Sequence, residues 1–161
     1  MTSTIISRAG ADDGNQISDI IRSSFQRQAQ LLGISENEFP NYVAFESAAS
    51  ASSRIAGTQV YLMKLDEQPL GTIGLYATGG TGYIERLAVL PASRGRGYGE
   101  QLLYFAENEL LQLGCSVVQV SIVAEFTRLK SYYERQGFQE TLRRNYSSLP
   151  FEVLFLEKPL C

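Results

Sequence analysis

The run Pro91-Ala92-Ser93-Arg94-Gly95-Arg96-Gly97-Tyr98-Gly99-Glu100 carries the clearest chemistry in the chain. It lies between a strand-like run and an amphipathic one. Glycine lets backbone N–H groups turn inward and lets a ligand approach closely. A helix start adds about half a positive charge and several unpaired N–H donors. Arg94 and Arg96 add two full charges. Together these suit an anionic group, most naturally a pyrophosphate. Other glycine motifs fit less well. A phosphate-cradling loop with Gly-Lys-Ser/Thr is absent, because no Lys-Ser/Thr follows the glycines. A dinucleotide fingerprint from Gly95 needs glycine at 100, where Glu100 stands. The alternative is a strand-to-helix turn whose arginines are merely solvated.

What is missing narrows the chemistry further. The 161 residues include no histidine, so Ser-His-Asp and Cys-His catalysis and any histidine base are excluded. Zinc would need four ligands from two cysteines and scattered carboxylates. Cys115 and Cys161 are too few for a disulfide framework and suit a reducing compartment. With 14 basic and 17 acidic residues, the net charge is −3. Such a balance offers no general attraction to nucleic acid or anionic lipid. Neither a signal peptide nor a run near the ~20 apolar residues of a membrane span is visible. The expected location is the cytoplasm.

The elements that position the glycine turn follow from periodicity. Thr4–Arg8 reads as a strand, and Ala11–Gly14 as a turn with Asp12 or Asp13 capping a helix. Ile17, Ile20, Ile21, Ser24, Phe25 and Ala29 recur at helical spacing. A second helix is expected over about 41–56, its tail the serine-rich run Ser47–Ser53. Strands are expected at 58–65, 70–78 and 83–90, with Pro91 ending the third. A helix from about 96–99 carries Leu102, Leu103, Phe105, Ala106, Leu110 and Leu113 and stops at Gly114. A strand at 116–123, a helix at 127–136 and strands at 138–146 and 152–157 complete the chain. The order β-α-α-β-β-β-α-β-α-β-β predicts an α/β (α+β) fold in a single domain, 1–161. Its mixed sheet carries helices on both faces.

The run from Tyr83 to Gly99 resembles the acetyl-CoA motif of GNAT-type N-acetyltransferases. Leu87-Ala88-Val89-Leu90-Pro91 matches the family's strand end. Arg94, Gly97 and Gly99 match its Arg/Gln-x-x-Gly-x-Gly/Ala. A second motif follows at the expected distance: Tyr132-Tyr133-Glu134-Arg135-Gln136-Gly137-Phe138 resembles Phe-Tyr-Glu-x-x-Gly-Phe. Leu70–Gly74 resembles the early hairpin, and Phe155–Leu160 the last strand. The likeness covers about 58–160 well and the first 57 residues in element order only. Where many members carry asparagine, seven residues before the tyrosine, this chain has Phe126.

The resemblance implies a mostly antiparallel sheet with a splayed parallel pair. It also implies direct transfer of acetyl from acetyl-CoA to a primary amine, through a tetrahedral intermediate. Leu87, Ala88 and Val89 would hold the pantetheine arm and supply an N–H to the developing oxyanion. Arg94, Gly95, Arg96, Gly97, Tyr98, Gly99 and Glu100 would hold the pyrophosphate. Tyr133 matches the family's acid, protonating the leaving thiolate. Glu85 is the first choice of base, since strand parity puts it on the face of Leu87 and Val89. An ordered water chain is the alternative. The acceptor, a small-molecule or peptide amine, would meet the Phe25–Gly57 region and the loop near Asn145–Pro150. Glu36, Glu38, Phe39, Tyr42, Phe45 and Glu46 there mix acids with aromatics, suiting a cation. Homodimers are common in that family, and no residue here fixes one. Two other readings stand beside this one. The first is a non-catalytic acyl-CoA-binding or regulatory domain of the same fold. The second is an RNA-binding element at Arg94-Gly95-Arg96-Gly97, which the acidic balance opposes.

Overall fold

The structure, a computed structural model, describes residues 3–161. Its elements are β1 (Thr4–Arg8), α1 (Gly14–Leu32), α2 (Ala48–Gly57), β2 (Gln59–Leu65), β3 (Gln68–Thr78), β4 (Thr81–Val89), α3 (Tyr98–Gln112), β5 (Val117–Val123), α4 (Thr127–Arg135), β6 (Gln139–Asn145) and β7 (Glu152–Pro159). Strands and helices follow in the order the periodicity predicts. The sheet order is β1-β2-β3-β4-β5-β7-β6. It is mostly antiparallel, with β4 and β5 parallel from Thr81–Val117 to Tyr83–Gln119.

Contacts divide the chain into two compact units. The first holds residues up to Leu75 and Arg86–Ala106. Ile17, Ile20 and Ile21 of α1 and Ala51 of α2 bury against Val60, Leu62 and Ala88. The opposite face of β2 meets α3, where Tyr61 packs edge-on against Phe105 with centroids 4.7 Å apart. Alternation along β2 thus feeds two layers of helix, as a strand covered on both faces requires. The second unit holds Tyr76–Glu85 and Glu107–Cys161. There β5 pairs with β7, and β7 with the exposed edge strand β6. Phe138, Leu154 and Leu156 are among its fully buried side chains.

Three local expectations change. Neither Asp12 nor Asp13 caps α1 through its side chain; Asp13 instead accepts the Gly10 N–H at 2.7 Å, closing a short 3-10 turn. The second helix starts later than expected, at Ala48. Ser47 caps it by accepting the Ser50 N–H at 3.0 Å, which makes the serine-rich run the helix itself. A separate 3-10 turn, Val43–Phe45, occupies the segment before it.

The third change concerns β4, whose alternation is broken. A Cβ on Gly82 would come within 2.7 Å of Leu110 of α3, so Gly82 faces that helix. Val89 also faces α3: its side chain lies 3.7 Å from where a Gly71 Cβ would stand, beside Leu102. A left-handed residue inside a strand breaks its regular alternation. Arg86 marks the place, with φ 51° in the left-handed region. That backbone costs a non-glycine residue roughly 1–2 kcal/mol, so it persists only because its surroundings impose it.

Candidate functional site

The glycine turn occupies the first unit. Pro91–Ser93 forms a 3-10 turn, and Gly95 and Gly97 follow with φ 79° and 82°. Only glycine adopts such angles without strain. A Cβ at either position would meet nothing within 4 Å, so the space beside both is open. Arg94, Gly95, Arg96 and Gly97 are all exposed. Tyr98 opens α3, with Gly99 and Glu100 in its first turn, and the Gln101 N–H bonds the Gly97 carbonyl at 3.1 Å. N–H groups earlier in that turn have no intrahelical acceptor. Left-handed glycines before a helix start are able to gather backbone N–H groups around a phosphate.

The end of β4 is built for backbone contact. Leu90 donates to the Leu70 carbonyl of β3 at 2.8 Å. Alternation therefore turns the backbone groups of Val89 and Leu87 away from β3. Ser24 Oγ and Arg94 Nε both donate to the Val89 carbonyl, at 3.1 and 3.2 Å, which fills that acceptor. The N–H of Val89 is thus the group it can offer a ligand. Arg94 Nη2 also donates to the Ser24 carbonyl at 2.8 Å. Its guanidinium ties the glycine turn to α1 and β4, and its charge sits at the root of the turn. Ala88 differs from expectation. Its side chain packs in the core and its carbonyl lies toward Gly71 of β3, so it supports the site by packing.

Sequence reasoning missed the anchor beside this strand. Glu46 has a fully buried side chain and accepts Arg54 Nε at 2.6 Å and Nη2 at 3.1 Å. Arg86 Nε approaches the same carboxylate to 3.5 Å. Glu46 is therefore no part of a solvent-facing acceptor wall. Glu36 is exposed and paired with Arg22 at 3.5 Å, Glu38 is exposed, and Tyr42 is buried, donating to Gln28 at 3.3 Å. These residues do not form one acidic aromatic surface. Ser24, at a buried position of the α1 stripe, was legible only as a core residue.

The second unit carries the candidate acid and base. Glu85 lies on the β4 face turned away from Leu110, three residues beyond Gly82. Tyr76 and Tyr83 stack nearby with centroids 4.9 Å apart. Burial raises the Tyr76 phenol above its usual value, and the Glu85 carboxylate adds to the rise. Tyr133 is the buried residue of α4, edge-on to Tyr132 at 5.3 Å and Phe138 at 5.5 Å. Burial first, and Tyr132 second, hold its phenol well above the tyrosine range. It carries its proton at neutral pH and parts with it less readily than a free phenol. Phe126 is the N-cap of α4 and makes no side-chain cap. Among the described residues there is no helix long and apolar enough to cross a membrane, and no acid, histidine or cysteine cluster able to hold a metal.

The sequence pattern of the Acetyltransferase (GNAT) family matches residues 17–138, most of the chain. The chain belongs to the GNAT acetyltransferase family. The matched span runs from α1 through the glycine turn to Phe138. An aminoalkylphosphonate N-acetyltransferase of Salmonella typhimurium is 27% identical over 119 residues, which cover 70% of this chain and 77% of that protein. Among solved structures, PaiA N-acetyltransferase from Thermoplasma acidophilum, in complex with coenzyme A, superposes with a TM-score of 0.81 at 18% identity, covering 98% and 99% of the two chains. The ribosomal-protein-S18-alanine N-acetyltransferase from Escherichia coli gives 0.76 at 15%, covering 98% and 94%. The two structural likenesses establish the fold: a GNAT-like mixed α/β sheet. Family membership makes this acetyltransferase an enzyme of acetyl transfer.

Proposed function

We propose that residues 1–161 act as one N-acetyltransferase domain, moving acetyl from acetyl-CoA to an amine by direct attack. One observation carries the reading: two left-handed glycines open onto the unpaired N–H groups at the start of α3. They follow, after the Pro91–Ser93 turn and Arg94, a strand end whose Leu87 and Val89 backbone groups turn away from β3. The turn suits the pyrophosphate and the strand end suits the pantetheine amides. An N–H of that strand end, aimed where the thioester oxygen gains charge, lowers the barrier to a tetrahedral intermediate. The amine must arrive neutral, and Glu85, directly or through water, is the base that takes its proton. Tyr133, held protonated by burial, is the acid for the departing thiolate. The acceptor is a small-molecule or peptide amine. A cytoplasmic location, without nucleic acid or membrane partners, suits an acidic chain of this composition.

Thermal titration with acetyl-CoA, CoA and NAD in parallel tests the donor site. Acetyl-CoA at 100 times its Kd should add about 2.7 kcal/mol of stability, with CoA similar and NAD silent. Stabilisation by NAD alone, or by none of the three at millimolar concentration, would remove the reading.

A further inference from the structure

We propose that Glu46 is a positioning residue for acetyl transfer, acting through Arg86 to hold the bulge of β4. The inference rests on the proposed acetyl-transfer site, to which Glu46 itself contributes no atom.

Glu46 is the fixed end of the clamp. Its side chain is 0% exposed, and Arg54 grips both carboxylate oxygens, at 2.6 and 3.1 Å. Its backbone is held too: Arg22 Nη1 lies 3.4 Å from the Glu46 carbonyl and 3.5 Å from that of Phe45. Arg86 is the end that needs holding. It sits in the left-handed region at φ 51°, in mid-strand, with a full side chain. Glycine would take that backbone freely, so an arginine there is held by its surroundings. The Arg86 guanidinium reaches the buried carboxylate at 3.5 Å.

Position makes the clamp matter. Arg86 stands between Glu85, the proposed base, and Leu87, whose backbone turns toward the proposed donor site. If Arg86 relaxed to ordinary strand angles, the alternation on one side of it would reverse. The Leu87–Val89 backbone would then lose its present direction, and with it the N–H proposed to face the developing oxyanion. The Glu46–Arg86 contact thus fixes the strand geometry on which transfer depends, and Arg54 keeps Glu46 in place.

The test compares Arg86→Gln, Glu46→Gln and Arg54→Gln in the full chain. Hydrogen exchange over residues 84–90, which include the Leu90 N–H held by Leu70, needs no turnover. Arg86→Gln and Glu46→Gln should speed exchange there at least tenfold relative to the rest of the sheet. They should lower kcat at least tenfold, with the acetyl-CoA Kd changing less than threefold. Arg54→Gln, which frees the held end of the clamp, should speed exchange over the same residues and lower kcat in the same direction. Arg86→Gln, at a partly exposed position, serves if Glu46→Gln does not fold. Unchanged exchange in Arg86→Gln would overturn the proposal, as would faster exchange with unchanged kcat. A wild-type protein with no turnover on any amine would instead count against the acetyl-transfer reading, while the exchange contrast still decides whether the clamp exists.

Discussion

Tyr133 was legible as a candidate acid from its place in Tyr132-Tyr133-Glu134-Arg135-Gln136-Gly137-Phe138, but its environment was not. The motif brings Phe138 back onto the tyrosine ring, and the same packing that orients the phenol raises its pKa. The phenol stays protonated through the neutral range, the form an acid needs, at the cost of a wider gap to a thiol near 8.5. Replacing Tyr133 with phenylalanine keeps the ring packing and removes only the hydroxyl. Steady-state kinetics at saturating acetyl-CoA should show kcat falling about 10²- to 10⁴-fold, with Tm little changed. Loss of less than a factor of ~3 would take the acid role from this residue. Glu46 gives the opposite lesson. An acid among aromatics looks like a ligand for cations, yet its partners, Arg54 and Arg86, lie 8 and 40 positions on in sequence. A residue's burial depends on contacts that spacing does not encode.

At the scale of elements, the glycine turn was readable because its chemistry is local: φ above zero demands glycine, and Gly95 and Gly97 supply it. A Gly97→Ala change meets no neighbouring atom, so its cost is conformational, roughly 1–2 kcal/mol. Denaturant unfolding should show that loss, and acetyl-CoA affinity should fall as well, since the same N–H groups are re-aimed. Wild-type stability in this variant would mean that the turn does not hold its left-handed shape. The bulge in β4 was not readable. Arginine is no turn residue, so the left-handed angle at Arg86 has no local signal, and its ion-pair partner Glu46 lies far off in sequence. The start of α2 lay between these cases. Ser47 is a favoured cap, but the apolar residues before it blur where the helix begins.

Across the whole molecule, element order and type were legible, because hydrophobic periods of 2 and 3.6 survive in nearly every segment and glycine or proline punctuates their ends. Burial of tyrosines also sets a response to alkali. Folding raises the phenols of Tyr42, to about 12, and of Tyr133, both chiefly through burial. Unfolded tyrosines release their protons near pH ~10, whereas these two keep theirs. Their contribution to stability is present below that pH and is lost as pH rises through the folded values. Denaturant midpoints should therefore decline above pH ~10, and Tyr133→Phe should flatten the decline; an identical slope in that variant would show that Tyr133 titrates freely. The central claim is acetyl transfer to an amine, and amine-dependent release of the CoA thiol from acetyl-CoA, followed over a panel of primary amines, tests it most directly. The account predicts saturable release with at least one amine, matched by acetylated product in equal amount. Tight acetyl-CoA binding without thiol release on any amine or peptide of a broad panel would contradict it.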